Sequence, residues 1–189
     1  MLRALSWLGA AALLGAALTA FGSRPSIAQG AAGGALTWLA LAAATITAGA
    51  AALTAFRLSL PERSSAWALL PLPALVAWAA ASGLGCLAAR GTSDAWGETL
   101  GEAAECLAFL LVLSVPLSAL MLAMLRHARP LRPRLALALG GLASAGAAAV
   151  LLSIVHPHPS TALDLAAHAV ALGVIVAFNA SAESLIAPR

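Results

Sequence analysis

Lysine is absent from this 189-residue chain, charged residues make up only 9% of it, and cysteine occurs twice. Each scarcity excludes something. With 62% hydrophobic residues against so little charge, polar groups cannot cover the surface of a soluble domain, so the chain reads as a membrane protein. All ten basic residues are arginines. The sequence pI of about 10.1 therefore comes from arginine clusters and not from a basic face suited to nucleic acid, and no direct nucleic-acid partner is expected. G-x-S-x-G, H-E-x-x-H and phosphate-binding loops are missing, so no enzymatic activity is expected. Neither a C-x-x-C pair nor the four-cysteine arrangement of a quinone-linked thiol oxidase is present. Haem between helices needs a facing pair of histidines, and only His168 lies deep in a span, so no resident cofactor is expected.

What is present is a series of apolar runs. A bilayer core of roughly 30 Å takes about 20 apolar residues per helix, and runs of that length cover residues 2–21, 35–56, 66–87, 106–125, 135–155 and 162–179. The expected fold is an all-α, polytopic bundle of six transmembrane helices in a single integral membrane domain. A signal peptide is the competing reading of the first run, with Ser26 and Ala28 as small residues near a cleavage site. The run is longer than a usual signal core and Arg24 sits in the cleavage region, so it is kept as helix one. Arginine sets the orientation. Arg3, Arg57, Arg63, Arg126 to Arg134 and Arg189 fall on one side, and only Arg24 and Arg90 on the other. Positive residues mark the cytoplasm, so both termini are expected inside.

Small residues at i, i+4 spacing, such as Ala11 and Gly15 or Gly141 and Ala145, allow close helix approach. The short loops predict that consecutive helices are antiparallel neighbours. Pro71 and Pro73 are expected in the first turns of helix three, where a missing N–H is tolerated. Pro116 falls in the middle of helix four and predicts a kink, hence a candidate hinge. Pro130 and Pro133 are expected to keep the RHARPLRPR segment extended.

Three clusters have chemical potential. Cys86 at the end of helix three and Cys106 at the start of helix four are expected on the same outer membrane face. They read as a thiol pair that senses oxidants or soft metals, as a structural disulfide, or as two small buried groups. Asp94, Glu98, Glu102 and Glu105 recur every three or four residues and predict an amphipathic segment on the outer surface, its acids solvated. His156 and His158 share the outer side with the cysteines. Together the four make a candidate Cys/His site for transient binding of a zinc- or cadmium-type ion. Asp164 and His168 lie one turn apart on helix six and are expected to pair. On the inner side, Arg57, Arg63, Arg126, Arg129, Arg132 and Arg134 suit anionic lipid headgroups or docking of an acidic partner.

The order of landmarks resembles the NrsF family of membrane-bound negative regulators of a sigma factor. The segments are RLSLPERSSAWALLPLPAL at 57–75, Gly85 to Leu87, Cys106, MLRHARPLRPRLALALGGLA at 124–143, the HPHPS run and His168. The resemblance implies an anti-sigma factor of the bacterial inner membrane that holds an extracytoplasmic-function sigma factor inactive until stress arrives. It also implies that Cys86 and Cys106 receive a metal or oxidative signal. Family members usually begin with a polar cytoplasmic stretch, whereas the apolar run here starts at Leu2, so sigma binding is expected at the inner loops 57–66 and 126–134. The alternative reading is a small transporter or channel for a metal ion or other small solute, with His168, Asp164 and the outer acids as its path. A thiol oxidoreductase is a third reading, disfavoured by the missing second cysteine pair.

Overall fold

The computed structural model describes residues 2–21, 34–59, 64–89, 100–128, 130–155 and 161–185. These form six α-helices: α1 (Leu2–Phe21), α2 (Ala35–Arg57), α3 (Leu72–Ala89), α4 (Leu100–Ala128), α5 (Pro133–Val155) and α6 (Ala162–Ser181). Short 3₁₀ segments, Ser65–Leu69 and Ala182–Leu185, precede α3 and follow α6. Six helical stretches are long and apolar enough to cross a membrane.

Local chemistry explains where these helices begin. The third span is not one continuous α-helix, in contrast to the expected 66–87. Ser64 caps a 3₁₀ turn by accepting a hydrogen bond from the Ala66 N–H at 3.2 Å. The chain resets at Pro71, and α3 starts at Leu72 with Pro73 in its first turn. A proline disfavours the α conformation of the residue before it but is well suited to the first positions of a new helix. The same logic places Pro133 inside the first turn of α5, not in an extended linker. Thr161 caps α6, its hydroxyl accepting from the Asp164 N–H at 3.1 Å.

α5 occupies the centre. Inside the bundle, 83% of its span is buried, against 17–44% for the other five. It packs on α2, α6, α4 and α1, while α3 packs on α2 and touches α6 from outside. The cause is its run of small residues, LGGLASAGAAA. In lipid, helices gain little from apolar burial and associate mainly through close packing and interhelical hydrogen bonds. A methyl group built on Gly141 would lie 3.0 Å from the Ile175 carbonyl oxygen and from Val176 Cα of α6. On Gly146 it would lie 3.2 Å from Ala48 Cβ of α2. On Gly15 of α1 it would meet Leu151 Cδ2 at 2.7 Å. These contacts run antiparallel for α2, α4 and α6 against α5 and parallel for α1. The arginine-bearing helix ends at Arg57, Arg126 and Arg134 therefore gather at one end of the bundle.

Four buried hydroxyls in the spans bond within their own helix. Thr47, Thr54, Ser114 and Ser144 donate to the carbonyls of Ala43, Ala50, Leu110 and Gly140 at 2.7, 2.7, 2.6 and 3.0 Å. This back-bonding satisfies a hydroxyl in apolar surroundings without a partner helix.

Gly141→Ala should destabilise the bundle by about 1–3 kcal/mol, because backbone of α6 must yield to the new methyl. Gly173→Ala, where nothing lies within 4 Å of the added carbon, should be neutral or stabilising by up to about 1 kcal/mol through helix propensity. Reversible unfolding in mixed micelles measures both, and equal effects would contradict the packing assigned to α5.

Candidate functional site

Cys86 sits in the last turn of α3 and Cys106 in the second turn of α4, both toward the end of the bundle opposite the arginines. Neither is in a disulfide, and they are 6% and 3% exposed. Cys106 shares the buried stripe of α4 with Leu110, Leu113 and Leu117 and belongs to the central core. The periodicity of that stripe, every three or four residues, is what turns the thiol inward.

The expectation that all consecutive helices are neighbours fails at this pair. α3 and α4 share little contact among the described residues. The reason is competition for α5. Met121 and Leu125 of α4 lie over Gly140, where a methyl would approach Met121 Cγ to 2.7 Å. α3 instead finds its partner in α2. The ten connecting residues 90–99 span up to about 33 Å when extended, so order in the chain does not force contact. The cysteines are thus embedded in two different packing environments.

The acidic stripe also differs from its expected form. α4 begins at Leu100, so Glu102 and Glu105 belong to its first two turns and not to a separate surface segment. A helix N-terminus favours acids by roughly 0.3–1 kcal/mol. Asp94 and Glu98 lie outside the described residues, as do His156, His158, Arg63 and Arg129. Among the described residues, no three His, Cys, Asp or Glu side chains converge as a metal site.

His168 and Asp164 pair as their spacing suggests. His168 Nδ1 lies 2.9 Å from the Asp164 carbonyl oxygen and 3.2 Å from its Oδ1, both side chains partly buried. Beside them is a pocket lined by Trp78, Leu110, Ala145, Ala149, His168 and Ile175. It has room for about one water molecule. Its walls are mainly apolar.

At the opposite end, Arg126 closes α4, Arg132 immediately precedes α5 and Arg134 lies in its first turn, all three exposed. They flank the α4–α5 connection. Arg57 is half-buried, with its guanidinium 4.4 Å from the Trp67 ring centroid, a cation–π contact that anchors the end of α2 to the 3₁₀ turn.

α4 runs through Pro116 without a break in its helical assignment. Immediately beyond the proline are two long-range polar contacts that sequence reasoning missed. The Trp7 indole Nε1 donates to the Leu117 carbonyl at 3.1 Å. Asn179 Nδ2 donates to Ser118 Oγ at 3.0 Å and to the Ile175 carbonyl at 2.8 Å. Asn179 is the chain's single asparagine, and its place in an apolar run was the available signal, because a buried amide needs a partner. Which partner it takes depends on the helix arrangement.

A family model described as NrsF, negative regulator of sigma F, matches residues 1–186. No curated protein and no solved structure matches the chain.

The burial of both thiols has a direct consequence in labelling. In intact membranes Cys86 and Cys106 should react with a maleimide at least about tenfold more slowly than after SDS denaturation, because reaction requires local opening. After denaturation two thiols per chain should titrate without reductant, and a count of zero would show that a disulfide forms in the membrane.

Proposed function

The chain belongs to the NrsF family of negative regulators of a sigma factor, and from that premise we propose a membrane-embedded anti-sigma factor that responds to stress through its cysteines. In this reading it resides in the bacterial inner membrane with both termini in the cytoplasm. It holds an extracytoplasmic-function sigma factor inactive and releases it on metal or oxidative stress received at Cys86 and Cys106. The observation that carries the regulatory role is the extent of the family match, 186 of 189 residues.

The placement of α4 supports a route from signal to output. Cys106 near one end and Arg126 near the other lie on one helix, about 30 Å apart along its axis. α4 packs on both α5 and α6, so a shift of α4 changes two interfaces. Signal passes along α4 rather than through a packed α3–α4 pair, with Pro116 as the hinge. Oxidation of the two thiols to a disulfide releases two protons and two electrons to the oxidant and draws Cys86 toward Cys106. Capture of a soft ion by the two thiolates, with His156 and His158 as further ligands, has the same effect. Either input acts only if it favours one of two packings, and the low contact between α3 and α4 among the described residues supports this reading. Arg126, Arg129, Arg132 and Arg134, with Arg57 and Arg63, form the cationic surface for an acidic face of the sigma factor.

In cells carrying a sigma-dependent reporter, the double variant Cys86→Ser/Cys106→Ser should keep basal repression and lose its response to oxidant and cadmium. An unchanged response excludes thiol sensing. The full chain extracted from unstressed membranes should retain a sigma factor, and Arg126→Gln/Arg132→Gln/Arg134→Gln should reduce that retention by about tenfold, in line with the loss of several charge contacts. Absence of any sigma factor from the wild-type preparation would sink the anti-sigma assignment itself.

A further inference from the structure

The buried polar groups of α4 divide at Pro116. Before the proline, Ser114 bonds back into its own helix, donating to the Leu110 carbonyl at 2.6 Å. Beyond it, Leu117 and Ser118 accept hydrogen bonds from other helices, one from Trp7 of α1 and one from Asn179 of α6. All are buried: Trp7 is fully enclosed, Leu117 is 3% exposed, Asn179 4% and Ser118 9%. These contacts fall in the turn that follows Pro116, whose missing N–H leaves the Val112 carbonyl, one turn before it, without its helical partner.

We infer that the turn Leu117–Ser118 is a two-sided latch: Trp7 and Asn179 hold the second half of α4 in one packing, and their release lets that half move as a unit about Pro116.

Three features make the latch distinct from ordinary packing. The two donors come from different helices, so neither neighbour alone fixes the turn. Asn179 is itself held by a second bond to the Ile175 carbonyl, which orients its amide toward Ser118 and keeps it from following a moving α4. Beneath the held segment, Met121 and Leu125 rest on Gly140 of α5. Methionine is the most adaptable apolar side chain, so the segment has a second packing within reach once the two bonds open. The exposed Arg126 is carried by this half, and a small rotation at the turn becomes a displacement of that charge at the end of the bundle.

The test is hydrogen–deuterium exchange on the full chain in lipid nanodiscs, which reads backbone opening and is independent of any sigma factor. Trp7→Phe removes the indole donor while keeping an aromatic ring, and Ser118→Ala removes the hydroxyl alone. In each variant, amides of residues 118–128 should exchange about threefold to tenfold faster, the range expected for loss of one hydrogen bond in a membrane. Amides of 103–113 and of α5 should keep their wild-type rates. Ser118→Thr, which retains the hydroxyl, should restore wild-type exchange. Unchanged rates in both variants, or an equal rise on both sides of Pro116, would overturn the latch. Should Trp7→Phe fail to accumulate, Ser118→Ala with its threonine control decides the matter.

Discussion

The close approach of backbones around α5 is the constraint on which the rest of the structure depends. Gly140, Gly141 and Gly146 present almost no side-chain volume, and α4, α6 and α2 come to rest against them. In a bilayer the apolar side chains of a lone helix are already well solvated, so mere hydrophobicity cannot choose neighbours. Shape chooses them. The helix able to admit others most closely becomes the centre.

The same rule explains why chain order misleads between α3 and α4. α4 has Met121 and Leu125 to lay over Gly140, and α3 is left to pack against α2. The two cysteines therefore lie at one end of the bundle on helices with separate partners. Their surroundings differ: Cys106 belongs to the central core, whereas Cys86 is buried on α3 outside that cluster.

Polar chemistry inside the bundle follows one economy of its own. Hydroxyls of Thr47, Thr54, Ser114 and Ser144 return to their own helices, as hydroxyls in lipid usually can. A tryptophan N–H and an asparagine amide cannot be satisfied so locally in full, and they reach across to Leu117 and Ser118. The long-range hydrogen bonds thereby collect at the turn next to Pro116. A proline read alone suggests a free hinge. Its neighbours in the structure are two interhelical hydrogen bonds, at Leu117 and Ser118.

Much of this was legible in the residues. Helix number, approximate spans, the pairing of Asp164 with His168 and the grouping of arginines at one end follow from hydropathy, i, i+4 spacing and charge, which are local properties of the chain. Helix starts were less legible, since Pro71, Pro73 and Pro133 act through capping geometry that a hydropathy window does not contain. The partner of Asn179, the anchoring of Leu117 by Trp7 and the separation of α3 from α4 were not legible at all. Sequence by itself determined that six apolar helices form and which residues each one carries. Only the tertiary structure decided which helices touch, because that choice depends on complementary shapes meeting across space, and a one-dimensional pattern holds no record of which groove a ridge will fill.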